Sequence, residues 1–195
     1  MGSGDPGDGP DLQLLPGWLA PGPAEALMQA LRQALPWQVH RVRMFGREFD
    51  SPRRSCWIGD AGASYRYSGM LHAPHPWPPA LAPLRQRLAD ETGTSFNSVL
   101  ANIYRDGRDR MGWHSDDEPE LGARPLIASL SLGATRRFLL RHRADRRRRL
   151  ALELPAGSLL LMRGQTQAQW QHALPATVRP VGPRINLTFR RIVPR

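Results

Sequence analysis

The stretch Arg184-Ile-Asn-Leu-Thr-Phe-Arg190 alternates strictly. On an extended backbone this puts Arg184, Asn186, Thr188 and Arg190 on one face and Ile185, Leu187 and Phe189 on the other. In a rolled sheet the apolar face packs outward against a helix or a second layer. The polar face then lines the mouth, where two guanidiniums can hold the carboxylates of a dicarboxylic acid through paired, charge-assisted hydrogen bonds. A solvent-facing strand of an Arg-rich protein carries the same pattern, so the stretch needs support from elsewhere.

Working outward, short β-rich runs separated by Gly, Pro or charge recur at 96–104, 126–132, 136–141, 150–154, 158–162, 168–173 and 184–192. Strands this short and this regularly spaced predict a sandwich or jelly roll, a mainly β fold with flanking helices. One helix is predicted over 23–35, where Leu27, Leu31 and Leu35 recur every four residues behind prolines that suit a helix start. Leu81, Leu84 and Leu88 mark a second, with Pro83 in its first turn and Gly93 as its stop. Between the helices, residues 42–69 read as short strands and turns. The first ten residues lack apolar content and read as a disordered lead.

His114 and Asp116 stand two apart in Arg110-Met-Gly-Trp-His-Ser-Asp-Asp-Glu118, so on an extended backbone both project to one side and can share a metal. A His-x-Asp pair arises easily by chance. His172, in Gln169-Trp-Gln-His172, lies where a later strand of a rolled sheet returns beside the pair. Two imidazoles and a carboxylate on one face of an octahedral ion leave three positions open, the arrangement in which non-haem iron(II) oxygenases bind a keto acid and dioxygen. Taken alone, His172 also reads as a histidine satisfied by a backbone carbonyl.

Composition bounds the rest. A chain of 195 residues suits one domain with its own core. Cys56 is the only cysteine, which excludes an internal disulfide and a thiolate zinc cage and suits a reducing interior. No apolar run approaches the roughly twenty residues of a membrane span, so a soluble, cytoplasmic protein without a membrane partner is expected. The 27 basic residues, all Arg, against 17 acidic ones give a net charge of +10 and point to a polyanionic partner such as nucleic acid. Six of those Arg fall within 141–149, which reads equally as a solvated hairpin loop and as a phosphate-contacting one.

Five motifs then meet a known family in order and spacing. Asn102-Ile-Tyr104, Trp113-His-Ser-Asp-Asp-Glu118, Ile127-Ala-Ser-Leu-Ser-Leu-Gly-Ala-Thr135, Gln169-Trp-Gln-His172 and Arg184-Ile-Asn-Leu-Thr-Phe-Arg190 together resemble the AlkB family of nucleic acid dealkylating dioxygenases. The resemblance runs from about Val42 to the end. It implies a double-stranded β-helix (jelly-roll) core with Fe(II) held by His114, Asp116 and His172. It also implies 2-oxoglutarate held by Arg184 and Arg190, with Asn102, Tyr104, Asn186 and Thr188 completing its berth, and O2 as co-substrate.

By the same resemblance the chain is one catalytic domain over 11–195, with helices and a nucleotide-recognition lid (11–94) before the jelly-roll core (95–195). Its substrates would be bases alkylated on the pairing edge, such as 1-methyladenine and 3-methylcytosine, in single- or double-stranded DNA or in RNA, acted on by a monomer. Tyr65-Arg-Tyr67-Ser68 matches the family's lid, with Tyr67 stacking on the base and Tyr65 bonding nearby, while Glu118 matches the acidic position that meets the exocyclic amine. Val42-Arg-Met-Phe-Gly46 resembles the hairpin finger of the duplex-repair branch, with Phe45 as its wedge, whereas 113–122 and 169–172 lie closer to the single-strand branch. Arg53 and Arg54 are expected at phosphate.

Overall fold

The computed structural model describes residues 9–44, 47–63, 65–67 and 70–193, with the backbone alone described at 42–44, 47–48, 65–67 and 70–72. The chain runs β1 (Asp11–Leu15), α1 (Pro21–Ala34), β2 (Arg41–Met44), β3 (Arg47–Asp50), β4 (Arg54–Gly59), β5 (Tyr65–Tyr67), β6 (Met70–His72) and α2 (Ala82–Thr92). There follow β7 (Ser98–Tyr104), β8 (Met111–His114), β9 (Ile127–Gly133), β10 (Arg136–His142) and β11 (Arg149–Leu154). The last elements are β12 (Leu159–Arg163), the one-turn helix α3 (Thr166–Gln169), β13 (Trp170–Leu174) and β14 (Arg184–Arg190).

Two antiparallel sheets face each other: a six-stranded sheet in the order β1-β12-β9-β14-β7-β4 and a four-stranded sheet in the order β11-β10-β13-β8. β14 sits inside the larger sheet, paired along its whole length with β7 and along most of it with β9. Its alternation is therefore used twice. Ile185, Leu187 and Phe189 are fully buried on the outer side against Leu27 and Leu31 of α1 and Leu84 and Leu88 of α2. The polar face turns inward, toward the space between the sheets. Burying those leucines is what holds both helices in place, since apolar area removed from water contributes about 25 cal/mol per Å². α2 stops at Gly93, whose φ of 68° belongs to the left-handed region that glycine enters at no steric cost.

A second core fills the gap between the sheets, with Trp57, Leu100, Phe138, Leu140 and Trp170 among its members. Three elements differ from the sequence expectation. β1, which the sequence reading left unassigned, joins the larger sheet through β12, and its short alternation Asp11-Leu-Gln-Leu14 turns Leu12 and Leu14 to the core. β4 joins it through β7, so the jelly roll draws strands from both sides of residue 95. The run expected to be strand from residue 168 instead begins as α3, closed by the Gln169 N–H on the Gln165 carbonyl, and becomes strand at Trp170. The hairpin β2–β3 and the pair β5–β6 stand apart as small two-stranded sheets.

Candidate active site

The inner face of β14 sets the floor of a cleft between the sheets. Antiparallel register places Asn186 opposite Asn102 and Arg184 opposite Tyr104 on β7, so four of the expected residues meet because two strands pair without slippage. On the other side β9 contributes Ser129 and Ser131, neither singled out from sequence, although Ala128-Ser-Leu-Ser-Leu132 alternates visibly. Asn186 donates to Ser129 Oγ at 2.8 Å, and Thr188 donates to Asn186 Oδ1 at 3.2 Å.

Arg184 is buried, 2% exposed. Its Nη2 donates to Ser131 Oγ at 2.9 Å, and the guanidinium sits 5.4 Å from the centre of the Tyr104 ring. Its Nε meets no hydrogen-bond acceptor, and among the described residues no carboxylate pairs with it. Burial pushes its pKa down to about 10. A buried cation with only neutral partners is costly unless an anion joins it, so the cleft is chemically suited to a carboxylate ligand.

A triad that could hold a metal assembles at the edge of this cleft. β13 pairs with β8 so that His172 lies opposite His114, with ring centroids 4.2 Å apart. Asp116, one residue past Ser115 and beyond the end of β8, completes a group whose ligand atoms lie within 4.8 Å of one another. Asp116 and His172 are 2% and 4% exposed, and His114 is half-buried. His114 Nδ1 lies 2.9 Å from the Gly112 carbonyl. A carbonyl only accepts, so Nδ1 carries the proton and Nε2 keeps its lone pair for a metal.

Electrostatics favour the protonation states that a metal needs. Burial pushes His172 down to about 3, helped by the neighbouring His114, and burial also lowers His114. For Asp116 burial pulls upward, but the charge of Arg190 and its hydrogen bond hold the carboxyl below its ordinary value. Both imidazoles are therefore neutral and the carboxylate charged at neutral pH, which is the form that coordinates.

Arg190, expected at 2-oxoglutarate, and Arg53, expected at phosphate, are both buried but have different partners. Arg190, 2% exposed, donates from Nη2 to Asp116 Oδ1 at 2.5 Å, which leaves Oδ2 at 4.0 Å from His172 Nε2. It steers the aspartate as well as facing the cleft. Arg53 is 5% exposed, with Nε on Asn102 Oδ1 at 2.8 Å and Nη1 on Ser51 Oγ at 3.0 Å. Arg53 is thus buried beside Asn102, itself a cleft residue, whereas Arg54 is exposed. Glu118 follows Asp116 by two residues and is half-buried. Phe45 and Ser68 lie outside the described residues, and of Tyr65 and Tyr67 only the backbone, in β5, is described.

Residues 11–190 match the model of the 2OG-Fe(II) oxygenase superfamily. The chain is 42% identical over 181 residues to the DNA oxidative demethylase ALKBH2 of Mus musculus, covering 88% of this chain and 76% of that protein. It is 40% identical over 190 residues to the alpha-ketoglutarate-dependent dioxygenase alkB homolog 3 of Homo sapiens, covering 93% of this chain and 66% of that protein. The chain thus spans about two thirds to three quarters of the length of these relatives. The solved structure of OsALKBH1 shares the fold, with a TM-score of 0.64 at 20% identity, covering 94% of this chain and 99% of that one. With the ligand triad, the buried Arg184 and these likenesses together, the chain belongs to the AlkB family within the 2-oxoglutarate- and Fe(II)-dependent dioxygenases.

Proposed function

We propose that the protein removes alkyl groups from the nitrogens of nucleic acid bases in DNA by oxidation, coupled to decarboxylation of 2-oxoglutarate. The observation that carries this reading is the juxtaposition, around one cleft, of the His114, Asp116 and His172 triad with Arg184, a buried cation whose hydrogen-bond partner among the described residues is the neutral Ser131. Relatives named as DNA oxidative demethylases support the substrate class.

His114, Asp116 and His172 would hold the iron, and Arg184 would take a carboxylate of 2-oxoglutarate against Ser131, Tyr104, Asn186 and Asn102. Bound together, iron, 2-oxoglutarate and O2 supply the oxidant: one oxygen atom leaves in succinate and the other goes to the alkyl carbon, with loss of carbon dioxide. A hydroxylated N-methyl group then collapses to formaldehyde and the restored base. Arg190 holds Asp116 in one orientation. Phe138, whose ring centroid lies 5.3 Å from that of His172, and Leu100 and Leu174 give the cleft apolar walls that limit water beside the ligands. No side chain is required as a nucleophile.

The basic hairpin between β10 and β11 supports a nucleic acid partner. It leaves β10 at His142, which pairs with Trp170 at the triad end of β13. Arg143 Nη1 reaches Asp117 Oδ2 at 2.7 Å, directly beside Asp116. Arg146, Arg147 and Arg149 stand exposed there, positioned for phosphate contacts that orient a strand across the mouth. Phe45 remains the proposed wedge and Tyr67 the stacking residue, on resemblance alone.

Aerobic incubation with iron(II), ascorbate, 2-oxoglutarate and methylated oligonucleotides, single- and double-stranded, DNA and RNA, tests this by mass spectrometry. Loss of 14 mass units per lesion (about one CH2 each) with release of formaldehyde is the expected result. Retention of every methyl group alongside tight DNA binding would leave a non-catalytic binding module, and turnover on RNA alone would move the substrate to RNA.

A further inference from the structure

The Asp116 N–H lies beyond the last paired residue of β8, where the strand ladder no longer supplies a partner. Asp116 is 2% exposed, so water does not supply one freely either. A buried amide left without an acceptor costs about 1–3 kcal/mol. Gln167 of α3 meets this need: its Oε1 accepts from the Asp116 N–H at 2.9 Å. The other end of the same amide, Nε2, donates to Met162 Sδ at 3.5 Å. Both ends agree on orientation, because only the oxygen can face an N–H.

A second tie runs beside the first. Ser115 Oγ donates to the Trp170 carbonyl at 2.9 Å. Both residues that follow His114 are therefore fastened to the segment that leads into His172. The reference point is itself anchored, since Thr166 Oγ1 accepts from the Asp11 N–H at 2.9 Å and donates to the Asp11 carbonyl at 3.2 Å, docking α3 on β1.

We propose that Gln167 is a positioning residue of the metal site, replacing the missing ladder bond so that Asp116 points at the same ion as His114 and His172. The inference rests on reading the triad as the metal site and goes beyond it by assigning an outer partner to its carboxylate-bearing backbone. Two residues apart, His114 and Asp116 share a side only while the chain between them stays extended. Gln167 keeps it extended where the sheet has ended. Such outer partners change metal affinity by about 10- to 100-fold when removed.

The test measures Mn(II) dissociation constants by calorimetry, with Co(II) absorption as a report of coordination, in the full chain without 2-oxoglutarate. Gln167→Leu removes the acceptor at similar volume and is expected to weaken Mn(II) binding by about 10-fold or more and to change the Co(II) spectrum. Gln167→Glu keeps an acceptor oxygen and is expected to bind within about threefold of the parent chain, a smaller effect than such outer partners usually carry. Leu88→Ala, in the helix-side core, controls for lost stability: it is expected to lower the melting temperature and leave Mn(II) affinity unchanged. An unaltered constant in Gln167→Leu, or equal weakening in the Leu and Glu variants, overturns the proposal. If the parent chain binds no Mn(II), the metal-site reading falls and takes this one with it.

Discussion

Replacing Arg184 with Met removes a charge while keeping a long, flexible side chain, and its two effects should oppose each other. Burial holds the Arg184 guanidinium at a pKa of about 10. A fall of that size from the ordinary value corresponds to about 3 kcal/mol, at about 1.4 kcal/mol per pH unit. The lost hydrogen bond to Ser131 returns about 1–2 kcal/mol of that. The ligand-free variant should therefore gain about 1–2 kcal/mol, a rise of roughly 2–8 °C in melting temperature for a chain of this size. Binding should move the other way, because truncating one side of a buried charge pair costs about 2–5 kcal/mol, or roughly 30- to 4,000-fold in affinity. Scanning calorimetry of the metal-free protein gives the first quantity, and titration of 2-oxoglutarate into Mn(II)-loaded protein gives the second. A melting temperature that falls while 2-oxoglutarate affinity holds would refute the assignment of Arg184 as the carboxylate site.

Three further outcomes are expected. His172→Ala should abolish turnover and Mn(II) binding while leaving DNA affinity within about twofold, since His172 is 4% exposed and offers phosphate no surface; unchanged turnover would remove it from the ligand set. Gly133→Ala should lower stability by about 2–5 kcal/mol, seen in urea denaturation. Gly133 has φ +79°, and a Cβ there would fall 2.5 Å from the Pro183 carbonyl oxygen and 2.6 Å from Met28 Sδ. Burial pushes the Cys56 thiol up to about 11 from 9.0, so its contribution is fully present below about pH 9 and is lost as pH rises toward 11. Stability should decline across that window more steeply than in Cys56→Ala, and iodoacetamide at pH 8 should label Cys56 only after denaturation.

The elements that were legible beforehand share one property: their signal lies within a few consecutive residues. The two-residue period of Arg184–Arg190 fixed which side chains face the helices, and the structure buries Ile185, Leu187 and Phe189 there. The four-residue spacing of Leu27 and Leu31, and the glycine after Thr92, located α1 and α2 in the same way. The triad and the cleft arginines were legible through five short motifs held in order. The burial of Arg53 was not legible because burial is not written in residue type: an arginine in an Arg-rich segment looks solvent-facing until a partner such as Asn102 is beside it.

Sequence alone determined the periodicities, the available ligand types and the net charge, because each depends only on neighbouring residues or on counting. Folding in three dimensions decided that β1 pairs with β12 across some 150 residues, that His172 falls opposite His114, that Arg190 turns one of its nitrogens to Asp116, and that Gln167 supplies the acceptor at the end of β8. The physical reason is that strand register and buried hydrogen-bond partners are chosen by which long-range pairing leaves the fewest polar groups unsatisfied, and that choice belongs to the whole chain rather than to any segment of it.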